Sequence, residues 1–282
     1  MLLDAASVWS KAWPILFAIL FFGVIILIHE LGHFTVAKLS GIKVNEFAIG
    51  MGPKLLSFGK GETKYSLRLI PMGGYVQMEG EDEASEDERA FNQKPVWKRF
   101  LVVIAGAVMN IILGLVLVAI LLTQQNLIGT TQIAGFHENA SSQSSGLQEG
   151  DVITHINGTS VWSDRDISFL MARDRDGVID FTVKRDGQKT ELKNVKFDTR
   201  EVDGQTVITF DFIIIGENKT FWNVLKTSFL ETASMARLVW LSLFDLVTGR
   251  FGLSDLAGPV GTVSVIAEAT TSGGFLLSLI HI

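Results

Sequence analysis

Residues 14–34 read PILFAILFFGVIILIHELGHF. Pro14 to Ile28 carries no charged side chain, and then two histidines and a glutamate arrive within five positions, 29–33. A helix rises about 1.5 Å per residue and the hydrocarbon core of a bilayer is about 30 Å thick, so roughly 20 apolar residues span it. Trp13 to Ala37 meets that length with only His29, Glu30 and His33 as ionisable groups. A second run, Phe100 to Leu122, has Asn110 as its one strongly polar side chain. Buried helices of a soluble core usually give shorter or amphipathic runs, so the pattern predicts two membrane-spanning helices. A cleaved signal peptide needs a basic start and a small-residue cleavage site. Here the first eleven residues offer Asp4 and Lys11, and HELGH stands where cleavage would occur, so the first span is expected to be retained.

The 282 residues are 48% hydrophobic, clumped rather than spread. A net charge of −6 excludes a general nucleic-acid binder, and the absence of cysteine excludes disulfides and thiolate metal sites. Basic residues near span ends set orientation. Lys38 and Lys43 follow the first span, Lys94, Lys98 and Arg99 precede the second, and no Lys or Arg follows the second until Arg165. Residues 38–99 are therefore expected on the cytoplasmic side and the region after about 123 outside.

His29 and His33 are four apart, so on a helix they project from one face a turn apart. Two neutral imidazoles so placed can grip one Zn²⁺, and Glu30, off to the side, can take a proton from the water that zinc activates. A chance HExxH in a soluble helix would leave both histidines facing water. Three ionisable groups at one membrane depth are costly and functional by default, which favours the metal reading. Gly32 would allow close approach by substrate or a neighbouring helix.

Residues 43–78 alternate short β-like pieces with Gly50, Gly52, Pro53, Gly59, Gly61, Pro71, Gly73 and Gly74, a β-hairpin pattern whose sheet edge can accept an extended peptide; an ordinary loop with turns is the alternative. HELGH at the end of a first span, then IGMGP, IPMGGYVQMEGE, and AGAVMN in the second span resemble the bacterial site-2 protease family of intramembrane zinc metalloproteases. The resemblance runs in order along nearly the whole chain. It implies a polytopic α-helical membrane protein with a membrane-associated β-hairpin region beside the active site and an inserted PDZ-like α+β domain. It also implies residence in the bacterial cytoplasmic membrane as a multi-pass protein. Its partners would be the lipid bilayer and membrane-protein substrates with a single transmembrane helix, such as anti-sigma factors or signal-peptide remnants, cut by regulated intramembrane proteolysis. By that resemblance His29 and His33 hold Zn²⁺, Glu30 is the general base and later acid, and Asn110, Gly73 and Gly74 are candidate substrate-binding residues. Asn110 either meets substrate backbone or joins two helices. Ala107 departs from the family, which usually has proline there.

The implied organisation is a first span with the metal motif over 1–37, the hairpin region with an acidic loop over 38–99 and a second span over 100–122. An extracytoplasmic PDZ-like domain over 130–215, a third span over 221–248 and a linker with a fourth span over 249–282 follow. EGEDEASEDE, 79–88, holds seven acidic residues in ten and is expected to be a solvated mobile loop rather than a metal site. SSGLQEGDVITHINGTSV carries the PDZ resemblance. A helix is expected near 164–173, and turns at Asp186-Gly187 and at Asn157-Gly158-Thr159. His137 and His155 are isolated and expected to be ordinary surface or turn residues. The run 229–247 contains Glu231, Arg237 and Asp245, so an interfacial amphipathic helix competes with a third span.

The last apolar run, 273–282, is ten residues, about 15 Å of helix. A catalytic zinc normally has three protein ligands. In the site-2 family the third is an aspartate of an LDG motif on the last span. No LDG occurs here; SDLAG at 254–258 is a look-alike, and His281 would have to fold back. The expectation is a truncated chain whose third ligand lies beyond Ile282. The competing function is then a catalytically inactive, membrane-anchored protein that only binds peptides through its PDZ-like domain.

Overall fold

The computed structural model describes residues 5–174, 176–202 and 205–249. The described residues divide into two compact units, one up to residue 114 and the other from 115 onward.

The first unit holds helix α1 (Ala5–Leu39), the strands β1 (Val44–Phe58) and β2 (Lys64–Met78), a 3-10 turn at Phe91–Gln93, and the first part of α2 (Val96–Gln124). Among the described residues, α1 from Ile15 to Leu39 and α2 are long and apolar enough to cross a bilayer. Only 17% and 22% of their apolar windows are buried, too little for core helices of a soluble protein. Leu20, Val103 and Ile111 are among the many large side chains left facing outward.

β1 and β2 form a hairpin that is folded over on itself. Val44–Ile49 pairs antiparallel with Gly74–Met78, and Leu56–Phe58 pairs antiparallel with Tyr65–Leu67. In addition Glu46, Phe47, Ala48 and Ile49 stand opposite Lys64, Tyr65, Ser66 and Leu67, partners that advance together, so the distal half lies back along the root. The result is four strand segments from two strands. Gly50 and Gly73 sit at the folds with φ of 84° and 90°, in the left-handed region that costs a side-chain-bearing residue energy. Space forbids one as well, since a Cβ on Gly50 would lie 2.5 Å from the Ile70 carbonyl oxygen. Glu46, 6% exposed, gathers all four segments: it accepts from Lys54 Nζ (2.8 Å), Arg68 Nη2 (3.1 Å) and the Ser66 hydroxyl, while Arg68 bonds the Tyr75 hydroxyl. Ala37, Ile42, Val44, Phe47, Val76, Met78 and Val102 form the apolar core that seats the hairpin root on α1 and α2.

The acidic run is more tethered than its composition predicts. Glu79 and Asp87 both reach Lys43 Nζ at 3.4 Å, Ser85 donates to Glu79 (2.8 Å), and Asn92 donates to the Ser85 carbonyl (3.2 Å). One lysine and a few polar side chains bracket the run at both ends, and residues 81–84 between them are exposed.

In the second unit a sheet of order β10–β3–β4–β6–β7 is built from Phe212–Glu217, Ile128–Phe136, Val152–Ile156, Val178–Arg185 and Gln188–Lys196, with β5 (Thr159–Ser160) paired to β4. Helices α3 (Ser141–Ser144) and α4 (Asp164–Ala172) and a small β8–β9 ribbon (Thr199–Val202, Gln205–Ile208) complete the unit with α5 (Phe221–Val247). Alternation in β6 turns Ile179, Phe181 and Val183 inward, where they meet Ile153, Ile156, Ile167 and Met171. The β6–β7 turn has Asp186 at φ 48° and Gly187 at φ 82°, the two-residue turn that suits strand twist. Asn157 and Gly158 make the same kind of turn between β4 and β5, with φ of 47° and 75°.

α5 has the length expected for the third span, yet it falls short of the apolar composition of α1 and α2. Its polar residues are committed to α4 and its flanks. Asp245 takes a two-pronged pair from Arg173 (2.6 and 2.7 Å), Arg165 pairs with Glu231 (3.1 Å), and Asp166 accepts the Ser234 hydroxyl and pairs with Arg237 (2.9 Å). The Arg237 guanidinium also stacks over Trp162 at 4.0 Å. Phe229, Trp240 and Phe244 face outward from the other side of the helix. The linker and fourth span expected over 249–282, with SDLAG and His281, lie outside the described residues from 250 onward.

Candidate metal centre

α1 is an unbroken helix through the motif, so His29 and His33 stack on one face with their rings edge to face, centroids 4.8 Å apart. Their Nε2 atoms are 3.1 Å apart. Two ligands bonded to zinc at about 2.0–2.1 Å with a tetrahedral angle would have their nitrogens roughly 3.3 Å apart. The pair therefore fits a shared cation.

α2 supplies the wall opposite. The His33 Nδ1 lies 2.7 Å from the Val102 carbonyl oxygen; a carbonyl only accepts, so Nδ1 carries the proton and Nε2 keeps its lone pair. The Asn110 side-chain nitrogen lies 3.2 Å from His29 Nδ1. Val102, Gly106 and Asn110 recur every four residues, which puts them on one face of α2. Gly106 makes the approach possible: a Cβ there would lie 2.5 Å from Nε2 of both histidines. Gly32 does the reciprocal work on α1, since a Cβ on it would meet the Ala105 carbonyl oxygen at 2.5 Å. Close helix approach, one of the two roles open to Gly32, is the one observed.

Glu30 lies against the hairpin. A Cβ added to Gly74 would lie 3.1 Å from Glu30 Cγ and 2.9 Å from the Ala48 carbonyl oxygen. Gly74 thus lets the root of β2 pass beside the glutamate. Gly73 is one step removed, packed on Met51, where an added Cβ would lie 2.8 Å from its terminal methyl carbon. The structure brings His29, Glu30, His33, Asn110 and Gly74 together, and gives Gly73 a turn role.

Sequence reasoning passed over two groups here. Gly106 carries no chemical signal, and only the four-residue spacing from Val102 and Asn110 could have marked it. Glu81, counted within a solvated acidic run, accepts from the Met78 N–H at 3.4 Å. Among the described residues no third His, Asp or Glu joins the pair as a metal ligand. His137 and His155 belong to the second unit, where His155 Nδ1 lies 3.2 Å from the Thr154 hydroxyl.

Comparison with known proteins agrees with this chemistry. The model of peptidase family M50 matches residues 17–281. A Clostridium acetobutylicum protein named among the zinc metalloproteases is 41% identical over 260 residues, covering 92% of this chain and 76% of its own. A similarly named Clostridium perfringens protein is 36% identical over the same shares. The regulator of sigma-W protease RasP of Bacillus subtilis is 27% identical over 337 residues, covering 90% of this chain and 80% of its own. A family-model match along nearly the whole chain, with relatives up to 41% identical over 92% of it, places the protein in peptidase family M50, the zinc metalloproteases that include the site-2 proteases.

Proposed function

We propose that the protein is a zinc-dependent intramembrane endopeptidase that cuts the transmembrane segments of single-span membrane proteins. The observation that carries this reading is the convergence of His29 and His33 Nε2 at 3.1 Å within an apolar helix, with Glu30 beside a β-strand. His29 and His33 hold the zinc. When bound, zinc lowers the pKa of water toward 7 and polarises a carbonyl. Glu30 takes the proton from the attacking water and hands it to the leaving amine. Val102 and Gly106 keep the imidazoles oriented and the space between them open.

The hairpin supports the substrate side. A peptide bond inside a helix is shielded by its own backbone hydrogen bonds, so the segment must unwind before attack. An unwound segment in a membrane needs partners for its N–H and C=O groups. The outer edge of Gly74–Met78, which passes Glu30, offers them as strand addition. Gly74 then stands at the site as a contact residue, and Gly73 sets the turn that leads to it.

The same family membership supports the remaining assignments. Residues 38–99 face the cytoplasm, as the basic residues near the span ends require, in the bacterial cytoplasmic membrane. The sheet and α4 over 130–215 serve as a PDZ-like domain that screens extracytoplasmic substrate ends. α5 serves as the third span. RasP is by name a regulator of sigma-W, so an anti-sigma factor is a natural substrate to try first.

The test is cleavage of a model single-span substrate in liposomes, with zinc measured on the same samples. Glu30→Gln should abolish cleavage and leave zinc bound, whereas His29→Ala and His33→Ala should lose both. Cleavage that survives Glu30→Gln would overturn the reading, and equal peptide binding without cleavage in every sample would favour the peptide-binding alternative.

A further inference from the structure

A histidine serves as a metal ligand through a lone pair, so the proton must sit on the other ring nitrogen and be held there by an acceptor. His33 has that acceptor in the Val102 carbonyl. His29 has the Asn110 amide, whose Nδ2 lies 3.2 Å from Nδ1, while Asn110 Oδ1 is buried without a hydrogen-bond partner among the described residues.

With Nδ2 donating to Nδ1, the His29 proton goes to Nε2. It then points across 3.1 Å at His33 Nε2, and a run of donors passes from Asn110 through His29 and His33 to Val102. That arrangement leaves no lone pair on His29 for a cation. A side-chain amide has a donor end and an acceptor end of nearly equal size, so a half-turn about its last torsion exchanges them. Turned, Oδ1 accepts the Nδ1–H, and both Nε2 lone pairs face the gap. One end of the amide is unpaired in either orientation; the two orientations differ in which tautomer of His29 they select.

We propose that Asn110 is a positioning residue that sets the tautomer of His29, and that it does so as a ligand shell partner by presenting Oδ1 to Nδ1–H. This rests on the reading of His29 and His33 as metal ligands. It gives the Asn110 bond between α2 and α1 a purpose beyond joining the helices, and it makes the two ligands equivalent, each oriented by an acceptor from α2. Partners of this kind typically change metal affinity by about 10- to 100-fold when removed.

The side-chain series decides it. Asn can accept or donate, Asp only accepts, and Leu does neither. The full chain in detergent, labelled with ¹⁵N-histidine, is titrated with zinc against a chromophoric chelator, and the zinc-loaded sample is examined by NMR. Asn110→Leu should weaken zinc binding about 10- to 100-fold. Asn110→Asp should bind at least as tightly as the wild type and keep a hydrogen-bonded Nδ1–H on His29. Wild-type binding that Asn110→Leu leaves within about threefold would overturn the proposal while sparing the metal reading. Asn110→Asp as weak as Asn110→Leu, with circular dichroism of both unchanged, would also overturn it, because the amide hydrogen would then be what matters. Wild type that takes up no zinc would sink the metal reading, and this inference with it.

Discussion

Gly106 faces His33 so closely that a methyl group on it would lie 2.5 Å from the ring Nε2, and its distance to His29 Nε2 would be the same. Carbon and nitrogen at van der Waals contact need about 3.5 Å, so neither imidazole could stay where it is. Gly106→Ala should reduce zinc affinity by at least tenfold, with the helix otherwise intact. Gly114, on the same helix, has nothing within 4 Å of its missing Cβ, so Gly114→Ala is the control and should bind zinc as the wild type does. Chelator competition on the two variants checks the pair; equal affinities would show that the helices can part without consequence.

Gly74 gives a handle on Glu30 that leaves the histidines untouched. Its missing Cβ would press on Glu30 Cγ at 3.1 Å and on the Ala48 carbonyl oxygen at 2.9 Å, and neither contact involves a histidine. Gly74→Ala should therefore lower kcat by roughly 10- to 100-fold through a misplaced glutamate and leave zinc content unchanged. Loss of zinc together with activity would mean that the strand supports the metal and not the base.

The Glu46 cluster predicts how the folded-over hairpin responds to acid. Burial alone would raise this carboxyl, but hydrogen bonds from Lys54, Ser66, Arg68 and Tyr75 outweigh it and bring it to about 2 from 4.5. A group lowered on folding stabilises above its unfolded value and loses that stabilisation as pH falls through the folded one. The hairpin should be constant from neutral pH to about 4.5 and lose up to about 3 kcal/mol between there and about 2. The chain has two tyrosines, Tyr65 and Tyr75, both in β2, so tyrosine NMR signals report the hairpin alone. In Glu46→Gln the acid response should vanish; a wild-type transition near pH 6 would contradict this account.

The α4–α5 contact is a set of buried ion pairs, costly when halved. Arg173→Met leaves the Asp245 carboxylate, 3% exposed, without its guanidinium and should destabilise the chain by about 3–5 kcal/mol. Arg173→Met with Asp245→Leu should recover most of that loss, because the buried carboxylate goes with the guanidinium. Urea unfolding of the two variants decides; a double variant as weak as the single one would mean that shape, not charge, holds the helices.

Composition and spacing were enough for the two long apolar helices, because a bilayer core imposes a length and an apolarity that Trp13–Ala37 and Phe100–Leu122 display in one dimension. The four-residue step from His29 to His33 likewise places two rings on one helix face without further information. Turn chemistry gave the hairpins at Asp186-Gly187 and Asn157-Gly158, where positive φ suits those residue types. What one dimension could not supply was which surfaces meet. Gly106 earns its place only because α2 lies against α1, and the fold-over of β1 on β2 depends on pairings between residues that advance together eighteen positions apart. The acidic run at 79–88 looked uniformly repulsive until Lys43, far back in the chain, was found between Glu79 and Asp87. α5 shows the same division: its charges argued against an ordinary span, but only packing revealed that Arg165, Arg173 and Asp166 were waiting for them. Periodicity records what each residue prefers to face, and tertiary structure decides which partner is there to be faced.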